Sequence, residues 1–217
     1  MLRRWITPLL SLLLLFFVSS TSLAKSLTVQ VLDKQGQAFE GAVVELQHPD
    51  FARSAMLPEA AMDQVNKQFA PYLLVVEQGT AVAFPNSDSI KHHVFSFSAA
   101  KRFQLKLYKD RPPEPLVFDK PGVVALGCNI HDWMVGYIYV AQSSQVLESD
   151  QQGKARFELE SATLNKEYQL AVWHPRFKAE DAQRLTAVAS STDTLVFQLT
   201  QSLHPEIDNQ ADEFDNY

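Results

Sequence analysis

Short runs of alternating or β-branched apolar residues recur along most of the chain, and their spacing constrains the fold more than any other feature. Residues 27–31 alternate between apolar and polar, and residues 42–46 are apolar apart from Glu45 and include two valines. Short strands separated by brief turns are typical of an all-β sandwich. A helix is expected only as one or two turns within 55–66, and 99–115 is expected to be a loop. The further predicted strands span residues 73–76, 80–84, 94–97, 116–118, 123–126, 137–140, 155–159, 168–173 and 194–199.

The first 24 residues have the composition of a secretory signal peptide. Arg3 and Arg4 give a positive start, residues 9–18 are nearly all Leu and Phe, and Ser22 and Ala24 place small residues before the expected cleavage point. An uncleaved anchor is the alternative, but this apolar run is shorter than the roughly 20 residues that span a bilayer. We therefore expect export to the periplasm and no stable membrane insertion after cleavage.

The charge balance and the single cysteine exclude several classes of protein. The chain has 19 basic and 25 acidic residues, and removal of Arg3 and Arg4 with the signal segment would leave 17 basic residues. This acidic balance argues against a nucleic-acid binder, which would show a basic patch for phosphates, and suits a basic protein partner better. One cysteine also excludes a disulfide framework and any zinc site with two or more thiolates.

Three metal-binding side chains lie within seven residues of each other in the stretch 122–140. A predicted strand ends at Cys128, a short loop contains His131 and Met134, and another predicted strand follows. Thiolate, imidazole and thioether together favour copper over magnesium, calcium or manganese, although thiolate and imidazole also hold zinc. A nucleophilic cysteine beside a histidine base is the alternative reading.

A second imidazole is available at the start of another predicted strand. His92 and His93 follow a polar turn, and the residues after them are apolar. Because successive strand side chains point to opposite faces, only one of the two histidines can face the same ion.

These two segments together resemble the cupredoxins, the blue copper proteins, and most closely their amicyanin and plastocyanin branch. In that branch N-x-[DE]-x-x-x-H-N-V precedes a C-x-x-H-x-x-M loop. The resemblance covers about residues 64–141 and implies a Greek-key β-sandwich. The residues that fall on the two motifs are Asn86, Asp88, His92 and Val94 for the first, and Cys128, His131 and Met134 for the second.

The resemblance implies a site for one copper ion that cycles between Cu(I) and Cu(II). His92, Cys128 and His131 would form the trigonal plane, and Met134 would be the long axial ligand. The family usually has asparagine where this chain has His93, so His93 is expected beside the ligands or as an alternative to His92. Asn86 and Asn129 are further residues expected beside the ligands, and Asp132 and Trp133 are expected to face a partner.

The function implied by this resemblance is transfer of single electrons between redox partners, not catalysis. Protein side chains would fill all four coordination positions, so no position is left for a substrate. The partners expected are redox proteins such as a c-type cytochrome or a periplasmic dehydrogenase, by similarity to proteins associated with methylamine utilisation. The alternative is a copper-binding module for copper delivery, storage or sensing.

The sequence on either side of the copper segment resembles another type of β-sandwich. Residues 25–47 and 145–200 resemble the carboxypeptidase regulatory-like, transthyretin-like domains. We expect one sandwich split in sequence, with a cupredoxin domain at 60–142 inserted between its halves. The rival arrangement is a cupredoxin with an added hairpin and a separate small sheet. Residues 201–217 are expected to be an acidic disordered tail.

Overall fold

The computed structural model describes residues 25–51, 54, 56–109, 114–159, 167–182, 185–189 and 193–205. The expected signal peptide at residues 1–24 and most of the expected acidic tail lie outside the described residues.

The described residues form an all-β fold, which confirms the predicted fold class. One four-residue helix, α1, spans Ala179–Ala182. The seventeen strands of the described segments are β1 Lys25–Leu32, β2 Val43–Gln47, β3 Ala60–Ala61, β4 Asp63–Val65, β5 Gln68–Ala70, β6 Leu73–Glu77, β7 Ala81–Ala83, β8 His92–Ser96, β9 Phe103–Tyr108, β10 Leu116–Val117, β11 Gly122–Cys128, β12 Val135–Ala141, β13 Val146–Glu148, β14 Lys154–Leu159, β15 Glu167–Trp173, β16 Leu185–Ala189 and β17 Thr194–Gln198.

Strands from the two ends of the chain pair with each other. β1 lies between β14 and β17, and β2 lies between β13 and β15, with β16 beside β15. Alternate residues of β14 and β15 are buried because each of these strands turns one face to a shared apolar core. That core includes Val29, Leu46, Phe157, Leu170 and Phe197.

The middle of the chain builds a second core around a five-stranded sheet in the order β6, β12, β11, β8, β9. β10, β7 and β3 form a second sheet, and β4 and β5 form a hairpin. Residues from both larger sheets meet in one buried cluster, among them Val82, Val94, Val124 and Ile138. This core holds the inner face of the five-stranded sheet, where the proposed metal ligands lie.

The two cores meet at the outer face of β12. Tyr139 and Ala141 are buried against Val43 of β2, and Trp173 of β15 packs beside them. The Glu45 carboxylate, only 1% exposed, accepts hydrogen bonds from the Tyr139 hydroxyl at 2.8 Å and from the main chain after β12. A polar network therefore joins β2 to the end of the five-stranded sheet.

Two expectations about local structure are wrong. The segment 55–66, where a helical turn was expected, contains β3 and β4, because Met62 and Gln64 are both fully buried in an extended segment. The Asn66 and Lys67 turn, with φ of 54° and 58°, then connects β4 to β5 as a tight hairpin. The expected loop at 99–115 contains β9, an edge strand in which apolar Phe103 and Leu105 alternate with polar Gln104 and Lys106, as in a strand with one face on the core.

Candidate metal centre

Strand pairing brings the two ligand segments together. Cys128, the last residue of β11, pairs with Val94 of β8, so it lies close to His92 at the start of β8. The loop between β11 and β12 contains a tight turn, because the Met134 N–H donates a hydrogen bond to the His131 carbonyl at 3.0 Å. Residues 36 positions apart in sequence thus share one side of the sheet.

His92, Cys128 and His131 form a compact group of possible metal ligands. Their ligand atoms all lie within 4.8 Å of one another. Nδ1 of His92 and Nδ1 of His131 each lie 3.8 Å from the Cys128 sulfur. Metal bonds of about 2.3 Å to sulfur and about 2.0 Å to nitrogen, set 120° apart, separate the two atoms by roughly 3.7 Å. The three side chains can therefore hold a metal ion without a large rearrangement.

The group is buried on one side and accessible on the other. His92 is 0% exposed and Cys128 is 4% exposed, whereas His131 is half-buried. The Trp133 ring lies beside His131, with ring centroids 5.2 Å apart. His131 is thus the ligand candidate closest to solvent, and half-buried Trp133 and exposed Asp132 lie in the same loop.

Met134 is 1% exposed and belongs to the same apolar core as Cys128. A buried thioether beside the cluster is compatible with the axial position that the motif implies. Its role as a ligand stays a prediction.

The structure places His92 and His93 on opposite faces of the sheet. His92 points to Cys128, whereas the His93 ring lies near Phe95 on the other face, with centroids 6.4 Å apart. Nε2 of His93 is buried and has no hydrogen-bond partner among the described residues. The His93 carbonyl accepts a hydrogen bond from the Asn129 N–H at 3.2 Å. A main-chain hydrogen bond therefore ties the segment of His92 and His93 to the loop that follows Cys128.

Asp88, an acidic residue of the first motif, contacts the side of the His92 ring that points away from Cys128. Its carboxylate lies 2.7 Å from Nε2 of His92, and it also accepts from the N–H groups of Asn66 and Lys67. Burial opposes ionisation, but these hydrogen bonds outweigh it and lower the pKa of Asp88. An ionised carboxylate can only accept, so in the neutral ring Nε2 carries the proton and Nδ1 faces the sulfur with its lone pair, whereas the protonated ring donates to both partners.

The same contacts shift the pKa of the other two members of this chain of hydrogen bonds. Burial favours neutral His92, but hydrogen bonds to Cys128 and Asp88 outweigh burial and raise the pKa of His92. Burial also favours the neutral thiol, but the His92 ring and the main chain of His93, Ile130 and His131 lower the pKa of Cys128. The site thus stabilises the thiolate, the form that binds metal.

The remaining residues expected beside the ligands have different roles. Asn86 donates from Nδ2 to the carbonyls of Ile90 and Tyr108, and its Oδ1 accepts from the Asp88 N–H at 3.0 Å. It therefore fixes the turn that carries Asp88 and does not contact the cluster. The Asn129 side chain is exposed.

Outside this site, the Trp173-His174-Pro175 segment forms a packed turn. Nδ1 of His174 accepts from the Arg176 N–H at 3.1 Å, and its ring packs on Phe39 with centroids 4.9 Å apart. One ring nitrogen is thereby engaged in the turn, which fits a structural role.

No protein-family model and no curated protein matches the sequence. Comparison with solved structures does find similar chains. Part of this chain is similar to cupredoxins. A purple cupredoxin from Nitrosopumilus maritimus aligns at 24% identity and a TM-score of 0.30, over 38% of this chain and 99% of that one. A reduced Cu(I) form of an amicyanin mutant aligns at 18% identity and a TM-score of 0.35, over 47% of this chain and 100% of that one.

A Cu-containing nitrite reductase from Thermus scotoductus SA-01 aligns at 22% identity and a TM-score of 0.38. The alignment covers 45% of this chain but only 25% of the reductase. This chain thus spans about a quarter of that enzyme.

Among the helices of the described residues, none has the length and apolar character to cross a bilayer.

Proposed function

We propose that this chain is an exported copper protein that carries single electrons between redox partners. His92, Cys128 and His131 hold the ion in this proposal, with Met134 as the axial ligand. The observation that supports it best is the Cys128 sulfur, which lies 3.8 Å from a ring nitrogen of each histidine in a largely buried site.

The donor set is the argument for copper. Two imidazoles and one thiolate with a weak axial methionine are the ligands of a blue copper centre. Copper bound here would supply a Cu(II)/Cu(I) couple. The donors are already close together, and paired strands hold both ends of the 129–134 loop. Because the protein fixes the ligands, a change of metal charge would require little movement of them.

The same arrangement argues against catalysis on a substrate. Four protein donors would leave no open coordination position, which catalytic metal sites need. Half-buried His131 is the proposed ligand that a partner can approach most closely. We propose redox proteins such as a c-type cytochrome or a periplasmic dehydrogenase as partners. The expected signal peptide supports a periplasmic location for this exchange.

We also infer that the copper domain, residues 60–142, is inserted in a sandwich made of residues 25–47 and 145–200. The pairing of β1 and β2 with β13, β14, β15 and β17 supports this division. The contacts of Tyr139 and Ala141 with Val43 then form the junction between the two domains.

The test is the visible absorption and electron paramagnetic resonance spectrum of the purified chain after addition of copper(II). An intense thiolate-to-copper charge-transfer band with narrow copper hyperfine splitting is expected, and Cys128→Ser should abolish it. Reversible one-electron cycling with the metal retained would complete the case for a carrier. A colourless or ordinary tetragonal copper spectrum would contradict the proposal and favour copper delivery or storage.

A further inference from the structure

Phe95 on the outer face of β8, and Phe97 directly after the strand, are aromatic side chains that no strand of the described residues buries. Val94 and Ser96 are buried on the inner face, whereas Phe95 is half-buried and Phe97 is 74% exposed on the outer one. The two rings lie 5.1 Å apart between centroids. β9, the neighbour of β8, is the edge strand of the sheet, so the face ends there. We call this surface, formed by the outward residues of β8 and β9, the outer β8–β9 face.

The outer β8–β9 face is basic, although the protein is acidic. Residues 89–109 contain five basic and no acidic residues, while the whole chain has a net charge of −6. Lys91, Arg102 and Lys106 are exposed and form no ion pair with a described residue. Lys106 lies on the same side of β9 as Gln104, which pairs with Phe95, and Lys91 and Arg102 directly precede β8 and β9. Lys101, in contrast, is paired with Asp119 at 3.4 Å.

This face lies directly behind the candidate metal centre. Phe95 pairs with Gly127, the residue before Cys128. A Cβ on Gly127 would lie 2.8 Å from the Phe95 ring, so the ring rests on the main chain at that point. A partner bound to Phe95 and Phe97 would therefore be separated from the Cys128 thiolate by the sheet itself. The other approach to the metal centre is through half-buried His131 in the 129–134 loop.

We propose that the outer β8–β9 face is a docking surface for an acidic protein. Charge complementarity identifies the partner, because three cations without an ion pair among the described residues lie along a face that carries an exposed aromatic ring, on an otherwise acidic molecule. That the partner is a redox protein rests on the proposed function. One electron then passes between its redox group and the copper, so one side is oxidised as the other is reduced, and no bond is made or broken.

A protein fits this face better than an anionic membrane does. Polar Gln104 lies opposite Phe95 in the middle of the face, and Phe97 is its one strongly exposed aromatic residue among those described. Besides Phe97, Leu107 of β9 is exposed at 50%, and these two side chains offer little apolar area for insertion among lipids. The same face matches the usual protein interface, with an aromatic centre and a charged rim.

The test maps the binding of an acidic haem protein, the soluble haem domain of cytochrome b5, to the isotope-labelled purified chain by nuclear magnetic resonance. At low ionic strength the shifted amides should cluster at Phe95, Phe97 and Lys106. Lys91→Glu with Lys106→Glu should weaken binding about ten-fold or more, and Phe97→Ser should weaken it without changing the salt dependence. The matched control carries Lys154→Glu and Arg156→Glu, which reverse two exposed charges on β14. It should weaken binding less than about two-fold.

Equal loss of affinity in the two charge-reversed variants would overturn the proposal. Shifts confined to the 129–134 loop would do the same, as would binding to phosphatidylglycerol vesicles without binding to the haem protein. The titration is run on copper-free as well as copper-loaded protein. If the chain binds the haem protein but no copper, the proposed function alone is contradicted. If it forms a blue copper centre but does not bind the haem protein, the docking proposal alone is contradicted.

Discussion

The Asp88 carboxylate and the Cys128 sulfur contact opposite nitrogens of the same ring, with Oδ2 of Asp88 2.7 Å from Nε2 of His92 and the sulfur 3.8 Å from Nδ1. The imidazole is therefore fixed in orientation and in tautomer before any ion binds. A carboxylate behind a ligating histidine also makes the ring a better donor. Asp88 is thus a positioning residue for the proposed centre.

Asp88→Asn should weaken copper(II) binding by about 10-fold to 100-fold, because an amide no longer enforces the tautomer or the basicity of His92. Competition titration against a chelator of known affinity measures the change. Asp119→Asn, an exposed change of the same type beside Lys101, is the control and should leave copper affinity unchanged. Equal affinities in Asp88→Asn and the parent chain would contradict a positioning role. Urea unfolding of copper-free protein separates this effect from loss of the fold.

His92→Ala should abolish the thiolate-to-copper charge-transfer band, whereas His93→Ala should keep it. The reason is that His92 faces Cys128 and His93 faces the other side of the sheet near Phe95. Both variants are titrated with copper(II) and followed by visible absorption, with circular dichroism to verify the fold. A band that survives in His92→Ala but not in His93→Ala would reverse the assignment.

The strand pattern and the grouping of Cys128, His131 and Met134 follow from local periodicity and spacing, whereas the choice of His92 over His93 is what the resemblance to the cupredoxin motif implies. Cys128 ends a strand, His131 lies three residues later, and His92 starts an apolar strand, so a sandwich brings them together. The contact between Asp88 and His92 could not be derived in the same way. It depends on the turn at Asn66 and Lys67, whose N–H groups hold the carboxylate from another part of the chain. The spacing of four residues was the only local signal.

Glu45 shows a second limit of sequence reasoning. In an alternating strand a single acid is expected to face solvent, but β2 is covered on both faces and four of its five residues are buried. Which sheet covers the second face depends on the junction with β12, a contact between segments 94 residues apart. Nothing local to residues 43–47 indicates it.

Glu45→Gln should lower the free energy of unfolding by about 2–4 kcal/mol. The carboxylate accepts from Tyr139, Gln47 and the N–H groups of Gln142 and Ser143, and an amide nitrogen would face some of these donors. Urea unfolding measures the loss. Glu40→Gln, at an exposed position, should change the free energy by less than about 0.5 kcal/mol. Similar values for the two variants would show that the network does not stabilise the junction.

Two glycines of the five-stranded sheet should respond differently to alanine. A Cβ on Gly136 would lie 2.7 Å from Cβ of Phe69, which is 3% exposed and cannot move aside. A Cβ on Gly127 would meet the end of the Phe95 ring on an open face, where the ring can shift. Gly136→Ala should therefore cost about 2–3 kcal/mol of unfolding free energy, and Gly127→Ala less than about 1 kcal/mol. The reverse order in urea unfolding would mean that the Phe95 ring is held as firmly as the core.

His174 should make the stability of the chain depend on pH in the weakly acidic range. Burial, assisted by the Arg176 charge, lowers the pKa of His174 to about 4, whereas an unfolded histidine titrates near about 6.5. Between these values the unfolded chain binds more protons than the folded one, so stability falls as pH falls. This contribution is complete above about pH 6.5 and is lost towards pH 4. Allowing for partial solvent screening, it amounts to about 2 kcal/mol.

His174→Asn removes the titrating group and keeps an acceptor for the Arg176 N–H, so it isolates this effect. Urea unfolding of the copper-free chain is measured at pH 7.0, 5.5 and 4.5. The free energy of unfolding should fall less steeply with falling pH for His174→Asn than for the parent, and the variant should be the less stable of the two at pH 7.0. The matched control is His204→Asn, the same substitution at an exposed histidine. The other titrating groups, including His92 and Asp88, are common to all three proteins and cancel in the comparison. Parallel slopes for His174→Asn and the parent would mean that the ring is protonated within the folded turn, and that the packed turn does not hold it neutral.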